Sequence, residues 1–140
     1  MGAKVTAKVV LNPSEAKFWS RTFVNREGPR LSGQLLDIAK QEAPRRTGNL
    51  IRNLRATPFK MTGDYKGEGG VEVDLDKVPY AGFVMYGTRP HVIRARRAKA
   101  LHFRMGGREV FCKSVNHPGT RPNRFMERAL NRFAREFRRR

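Results

Sequence analysis

Four side chains able to bind a metal or move a proton fall within 27 residues: His91, His102, Cys112 and His117. Two of the histidines stand beside a repeated tetrapeptide, in "YGTRPHVI" at 86–93 and in "HPGTRPNRF" at 117–125. As chemistry, Thr88, His91, His117 and Thr120 would be two halves of a divided catalytic or metal site. The spacing speaks against a metal. Ten, nine and four residues separate the four candidates, and no CxxC or HxxxH pair seeds a site. Hydrolytic motifs are missing too: there is no GxSxG, HExxH or Walker loop. His117 is followed by Pro118-Gly119, which is turn chemistry. The expectation is therefore no catalytic residue, no metal and no cofactor. The rival is a small basic nuclease or RNA-binding toxin, in which His117 and Arg121 would serve a phosphodiester.

Charge narrows the choice of partner. The 140 residues hold 30 Lys+Arg against 12 Asp+Glu, a net charge of +18. Residues 71–140 carry fourteen arginines and only three lysines, and arginine is the better bidentate partner for phosphate and carboxylate. Such a chain works beside polyphosphate or against strongly acidic neighbours. From 89 to 108 run Arg89, Arg94, Arg96, Arg97, Lys99, Arg104 and Arg108 with no acid among them. Stacking aromatics of a base reader are missing, so contacts would go to backbone phosphate without sequence preference. A solvated face is the alternative for the arginines of the C-terminal segment. Hydrophobic residues make up 39%, below the usual globular share, so the chain leans on partners for stability. The lone Cys112 forms no internal disulfide and fits a reducing compartment. No apolar run is long enough for a signal peptide or a membrane span. Met1-Gly2 opens like a myristoylation site, supported by Thr6 alone.

The elements that must position these residues follow from periodicity. Residues 3–11 alternate as a strand, through Val5, Ala7 and Val9. "NPSE" starts a helical region over 13–42, with Asn12 as cap and Pro13 in the first turn. Phe18, Trp19 and Phe23 share one side of it. Pro29 leaves open one kinked helix or two. A strand is favoured over a short helix for 51–59, followed by a Gly-rich turn and an alternating strand in "VEVDL". A short helix enters through Pro79 and closes at Gly87. The basic stretch after it is expected as an exposed loop carrying Arg94, Arg96 and Arg97. "ALHFRMGGREVFCKSV" predicts a hairpin around Gly106-Gly107, pairing Arg104 with Glu109, His102 with Phe111 and Leu101 with Cys112. That register sets His102 and Cys112 on opposite faces. "NHPGTRPN" is expected as a turn.

Residues 123–140 form an amphipathic helix and basic tail. Asn123 is the cap, Phe125, Met126, Ala129, Leu130, Phe133 and Phe137 are the apolar face, and Arg124, Arg128, Arg132, Arg135 and Arg139 form a stripe. The whole is a single α+β domain over 1–140. An antiparallel sheet and β-hairpin, with the short helix, fill 49–120 and pack against the N-terminal helical region and the C-terminal helix.

Four phrases in order carry a resemblance: "APRRTGNL" (43–50), "VPYAGFVMYGTRPHVI" (78–93), "ALHFRMGGREVFCKSVNHPGT" (100–120) and "RPNRFMERAL" (121–130). Together they resemble the tail-component proteins of tailed bacteriophages, minor virion proteins at the head–tail junction also called neck or tail-completion proteins. The resemblance covers roughly residues 30–132 and implies an α+β subunit in a ring, six-fold, around the DNA channel, with no catalytic duty. It implies a connector or head-closure ring on one side and a tail-terminator or tail-tube protein on the other. Thr47, Gly48, Tyr80, Ala81, Gly87, Thr88, His117, Pro118, Gly119, Thr120, Pro122 and Phe125 are its fold and interface signature. On this reading Arg89, Arg94, Arg96, Arg97, Lys99, Arg124, Arg128 and Arg132 face DNA or a partner. Glu72, Asp74 and Asp76, an acidic cluster in a basic chain, would meet the Arg-rich face of the next subunit. The place of work is the virion, assembled in the bacterial cytoplasm.

Overall fold

A computed structural model describes residues 2–10, 21–46, 48–62 and 67–139. The expected helix start at 13, with Phe18 and Trp19, lies outside the described residues, and so do residues 63–66 of the expected Gly-rich turn over 60–70, whose two ends belong to strands instead. The fold is a single α+β domain, as composition and periodicity predict. In chain order it comprises β1 (Lys4–Val10), α1 (Arg21–Glu42), α2 (Asn49–Arg52), β2 (Leu54–Met61), β3 (Gly67–Asp74), α3 (Ala81–Tyr86), β4 (His91–Arg94), β5 (Leu101–Met105), β6 (Arg108–Cys112), β7 (Ser114–His117) and α4 (Phe125–Arg138).

Helix α1 is one element, and Pro29 sits inside it. Val24, Gly28, Leu31, Leu35 and Ile38 recur at steps of four and three, which stacks them on one face. That face covers a three-stranded antiparallel sheet in the order β1-β3-β2. Inward from the sheet point Val71 and Val73 of β3, Leu54 and Phe59 of β2, and the half-buried Val5, Ala7 and Val9 of β1. Helix α4 closes the layer with Phe125, Met126, Ala129 and Phe133, and the Phe133 ring stacks on Phe59 with centroids 6.4 Å apart. Burying these rings and branched side chains supplies the main stabilisation, about 1.5–3 kcal/mol for each large apolar side chain.

Pro58 lacks an N–H and tolerates only an edge strand or a bulge. Here it has both: β2 is an edge of the sheet, and its register shifts between Thr57 and Lys60. The ladder groups freed there find the buried Ser32 of α1. Its hydroxyl donates to the Thr57 carbonyl at 3.4 Å and accepts from the Phe59 N–H at 3.1 Å. Residues 49–52 are a turn of helix before β2, where a strand from 51 was favoured. Asn53 ends that turn, with its side-chain amide donating to the Asn49 carbonyl at 2.9 Å.

The hairpin has the expected register, Leu101 with Cys112, His102 with Phe111 and Arg104 with Glu109. Gly106 and Gly107 both take positive φ, 58° and 81°, as a primed two-residue turn demands. It does not join the central sheet. Strands β4 and β7 pair with each other, β5 and β6 with each other, and the whole forms one two-stranded arm. Two expectations are corrected. The basic stretch after Gly87 is not wholly a loop, and "NHPGTRPN" is not wholly a turn. His91–Arg94 is a strand paired with Ser114–His117, with His91 opposite His117 and Arg94 opposite Ser114. Ala95 donates to the Lys113 carbonyl at 3.1 Å, and Leu101 then pairs with Cys112, which leaves 96–100 as an unpaired insert on one strand.

Candidate partner-facing surface

The two GTRP copies meet. Thr88 and Thr120 form an antiparallel bridge, each N–H donating to the other's carbonyl at 3.1 Å. Their hydroxyls lie 3.1 Å apart, and the Thr88 hydroxyl also accepts from the Thr120 N–H at 3.0 Å. An approximate two-fold axis therefore passes between the threonines. The Gly87 and Gly119 φ angles are 72° and 84°, which brings each backbone against the opposite copy. The repeat is one clasp at the root of the arm. The next link ties it to the core: the Asn123 N–H donates to the Val84 carbonyl at 2.8 Å, and Phe125 follows two residues later, fully buried.

The clasp sets the histidines face to face, with ring centroids 5.1 Å apart and planes tilted by 35°. Both are pinned by their own turns. His91 Nδ1 lies 2.8 Å from the Arg89 carbonyl, so it carries the proton there and donates. His117 Nδ1 accepts the Gly119 N–H at 3.1 Å, so its own proton sits on Nε2. His102 is elsewhere on the arm, stacked on Phe111 with centroids 4.4 Å apart, and Cys112 is on the opposite face. Among the described residues no group of three His, Cys, Asp or Glu could hold a metal ion.

Beside the clasp lies an open groove of about 1030 Å³. Gly48, Tyr80, Gly87, Thr88, His117 and Thr120 all line it, so six dispersed residues of the sequence signature converge on one place. Thr47 lies outside the described residues. Tyr80, Phe83 and Ile93 make the groove apolar, and Phe83 is 62% exposed. Arg46, Arg89 and Arg121 give it positive charge, with no Asp or Glu among the described residues of the lining. Sequence reasoning passed over Phe83, Arg46 and Ile93. Phe83 was visible as an aromatic on the outer side of a one-turn helix, but nothing local told which side was outer.

The arm beyond the groove is unusual in what it omits. No residue from 87 to 123 belongs to the buried core or packs against it. Leu101, Phe103 and Val110 are half-buried, but Val92, Met105 and Phe111 lie open, 50%, 67% and 67% exposed. A lone two-stranded ribbon is marginal in water, and among the described residues this one has little besides its own pairing to hold it. The insert presents Arg96, Arg97 and Lys99, all exposed, and Arg94 on β4 and Arg89 at the clasp flank it.

The helix α4 arginines divide differently from expectation. Arg128 donates from Nε to Glu42 at 3.1 Å and from Nη2 to the Glu42 carbonyl at 3.2 Å and to Asn123 Oδ1 at 3.0 Å. Asn123 thus serves this clasp, and no side chain caps α4, whose cap residue is Arg124. Arg132 bonds Glu136 at 3.0 Å and Glu42 at 3.5 Å. The Glu136 hydrogen bond raises the Arg132 pKa further above its ordinary value, against a smaller desolvation effect, and Glu42 adds to the rise. Arg128 and Arg132 therefore tie α4 to the end of α1. Arg124 keeps a looser pair with Glu127 at 3.6 Å and is exposed.

The acidic cluster divides too. Glu72 pairs with Lys4 at 3.1 Å and stands opposite Arg55 in the ladder, so its charge is engaged within the subunit. Asp74 Oδ1 accepts the Asp76 N–H at 2.9 Å and shapes the turn after β3. Neither Asp74 nor Asp76 has an ion pair among the described residues. Compared with known proteins, the chain matches no family model, no curated protein and no solved structure.

Proposed function

We propose that this chain is a structural protein of a tailed-bacteriophage virion, a neck or tail-completion subunit at the head–tail junction. Six copies form a ring round double-stranded DNA. A connector or head-closure ring lies on one side, a tail-terminator or tail-tube protein on the other. One observation carries the reading: among the described residues, the arm rooted by the signature residues adds no side chain to the core, yet exposes apolar residues and the arginines Arg94, Arg96 and Arg97. That is how a subunit completed by its neighbours is built. The net charge of +18 suits a channel lined for phosphate without base contacts.

Replacing Arg94, Arg96 and Arg97 together by Ala should impair head–tail joining or DNA retention, read as DNA loss from purified particles. The subunit should keep its melting temperature, because all three are exposed outside the core. An unfolded triple variant would make the insert structural instead. Reversing Asp74 and Asp76 to Lys should weaken assembly, measured by light scattering across a concentration series. Unchanged ring formation would remove them from the interface.

The facing histidines favour one second reading, a nuclease. His91, His117 and Arg121 line the same groove, an arrangement able to hold a phosphodiester. Against it, the Nδ1 atoms of both rings are committed to backbone. Cleavage of nucleic acid that His117→Ala abolishes would replace the structural reading.

A further inference from the structure

Two of the apolar surfaces exposed among the described residues differ in shape. One is concave, the groove with Tyr80, Phe83 and Ile93. The other is the projecting arm tip, where Phe111 on one face and Met105 on the opposite face are each 67% exposed. They do not meet within one chain. No tip residue lines the groove. Phe111 stands nine residues from Thr120, separated from it by the bend at Lys113, β7 and the turn at Pro118-Gly119.

Charge gives the match a direction. The groove carries Arg46, Arg89 and Arg121 and no acid among its described residues. The tip carries Glu109, the sole acid between Asp76 and Glu127. Glu109 is half-exposed, and its one ion pair is a long contact of 3.7 Å with His102. Arg104 stands opposite Glu109 on the same face, Arg108 is on the other face, and both are exposed. A separate protein filling the groove would still leave the tip bare. A second copy covers both, because every chain offers one tip and one groove.

We infer that the arm tip of one copy seats in the groove of the next, with the ribbon face that carries Phe111 and Glu109 turned inward, Phe111 against Phe83 and Ile93 and Glu109 against Arg89 and Arg121. The inference rests on the ring reading above and names the contact that closes the ring. Such a contact joins two different surfaces and repeats head to tail, so it builds a closed ring when the rotation closes.

The test uses the full chain with Cys112→Ser, Phe83→Cys and Phe111→Cys. Both phenylalanines are exposed and outside the core, so the substitutions spare folding. Under mild oxidation, non-reducing electrophoresis should show a ladder of covalent oligomers ending at the ring size. Phe83→Cys alone or Phe111→Cys alone, in the same background, should give no ladder. Glu109→Arg in the native chain should weaken self-association about tenfold or more, and adding Arg89→Glu and Arg121→Glu should restore it. Rings that form at normal size without the ladder overturn the tip-in-groove contact and leave the ring reading standing. Equal cross-linking by a single-cysteine variant, or a charge swap without rescue, also overturns the contact. A chain that stays monomeric at every concentration overturns both.

Discussion

Alanine at both Gly87 and Gly119 should abolish assembly while the core stays folded. Gly87 sits at φ 72° and ψ −179°, a region that only glycine occupies readily. A Cβ there would meet the Thr120 carbonyl oxygen at 2.5 Å and the Pro122 nitrogen at 3.0 Å. At Gly119, φ 84°, a Cβ would press on the Thr88 carbonyl and lie 2.9 Å from the Arg89 carbonyl carbon. Each substitution costs about 1–3 kcal/mol in backbone strain alone, before any clash with backbone that cannot swing aside. The clasp is two-fold, so the two costs fall on one bridge. A two-stranded ribbon has little stability to set against them. Hydrogen exchange across 88–120 should rise towards the unfolded rate, while β3 and α1 keep their protection. Retained protection of the arm together with normal rings would show that the clasp does not set the arm.

Phe125→Ala should produce the opposite pattern, a large loss of stability. The side chain is fully buried where α4 meets the sheet. Removing a buried phenylalanine costs about 3–5 kcal/mol, a large share of the 5–15 kcal/mol typical of a whole domain. The melting temperature should fall by about 10–20 °C, and the urea midpoint should fall with it. Phe111→Ala removes the same side chain from the arm tip, where it is 67% exposed. It should change stability by less than about 0.5 kcal/mol and still weaken assembly. Similar losses at both positions would mean that the arm belongs to the folding core.

The elements legible in the sequence were those set by short-range rules. The Gly106-Gly107 turn dictates the hairpin register, because two positive φ angles admit few other residues. The 3.6-residue spacing of Phe125, Met126, Ala129 and Phe133 marks the inward face of α4, and Gly87 marks the end of α3. What stayed hidden depends on partners distant in the chain. Strands β4 and β7 are four residues each and become strands only by pairing across the insert at 96–100, which no turn signal announces. The GTRP echo looked like two separate turns because its meaning is a contact between residues 32 apart. The stripe of α4 arginines looked uniform, yet Glu42, 86 and 90 positions away, engages Arg128 and Arg132 and leaves Arg124 outside the clasp. The groove was half legible. Six of its residues are signature residues, but the exposure of Phe83 and Ile93 required the fold.

The central claim is a place in a particle, and the most direct test is cryo-electron microscopy of purified virions encoding this chain. The account predicts a ring of this α+β fold at the head–tail junction, arms reaching between neighbouring subunits and Arg94, Arg96 and Arg97 turned to the DNA channel or to an adjoining subunit. Intact particles that lack the chain would contradict it.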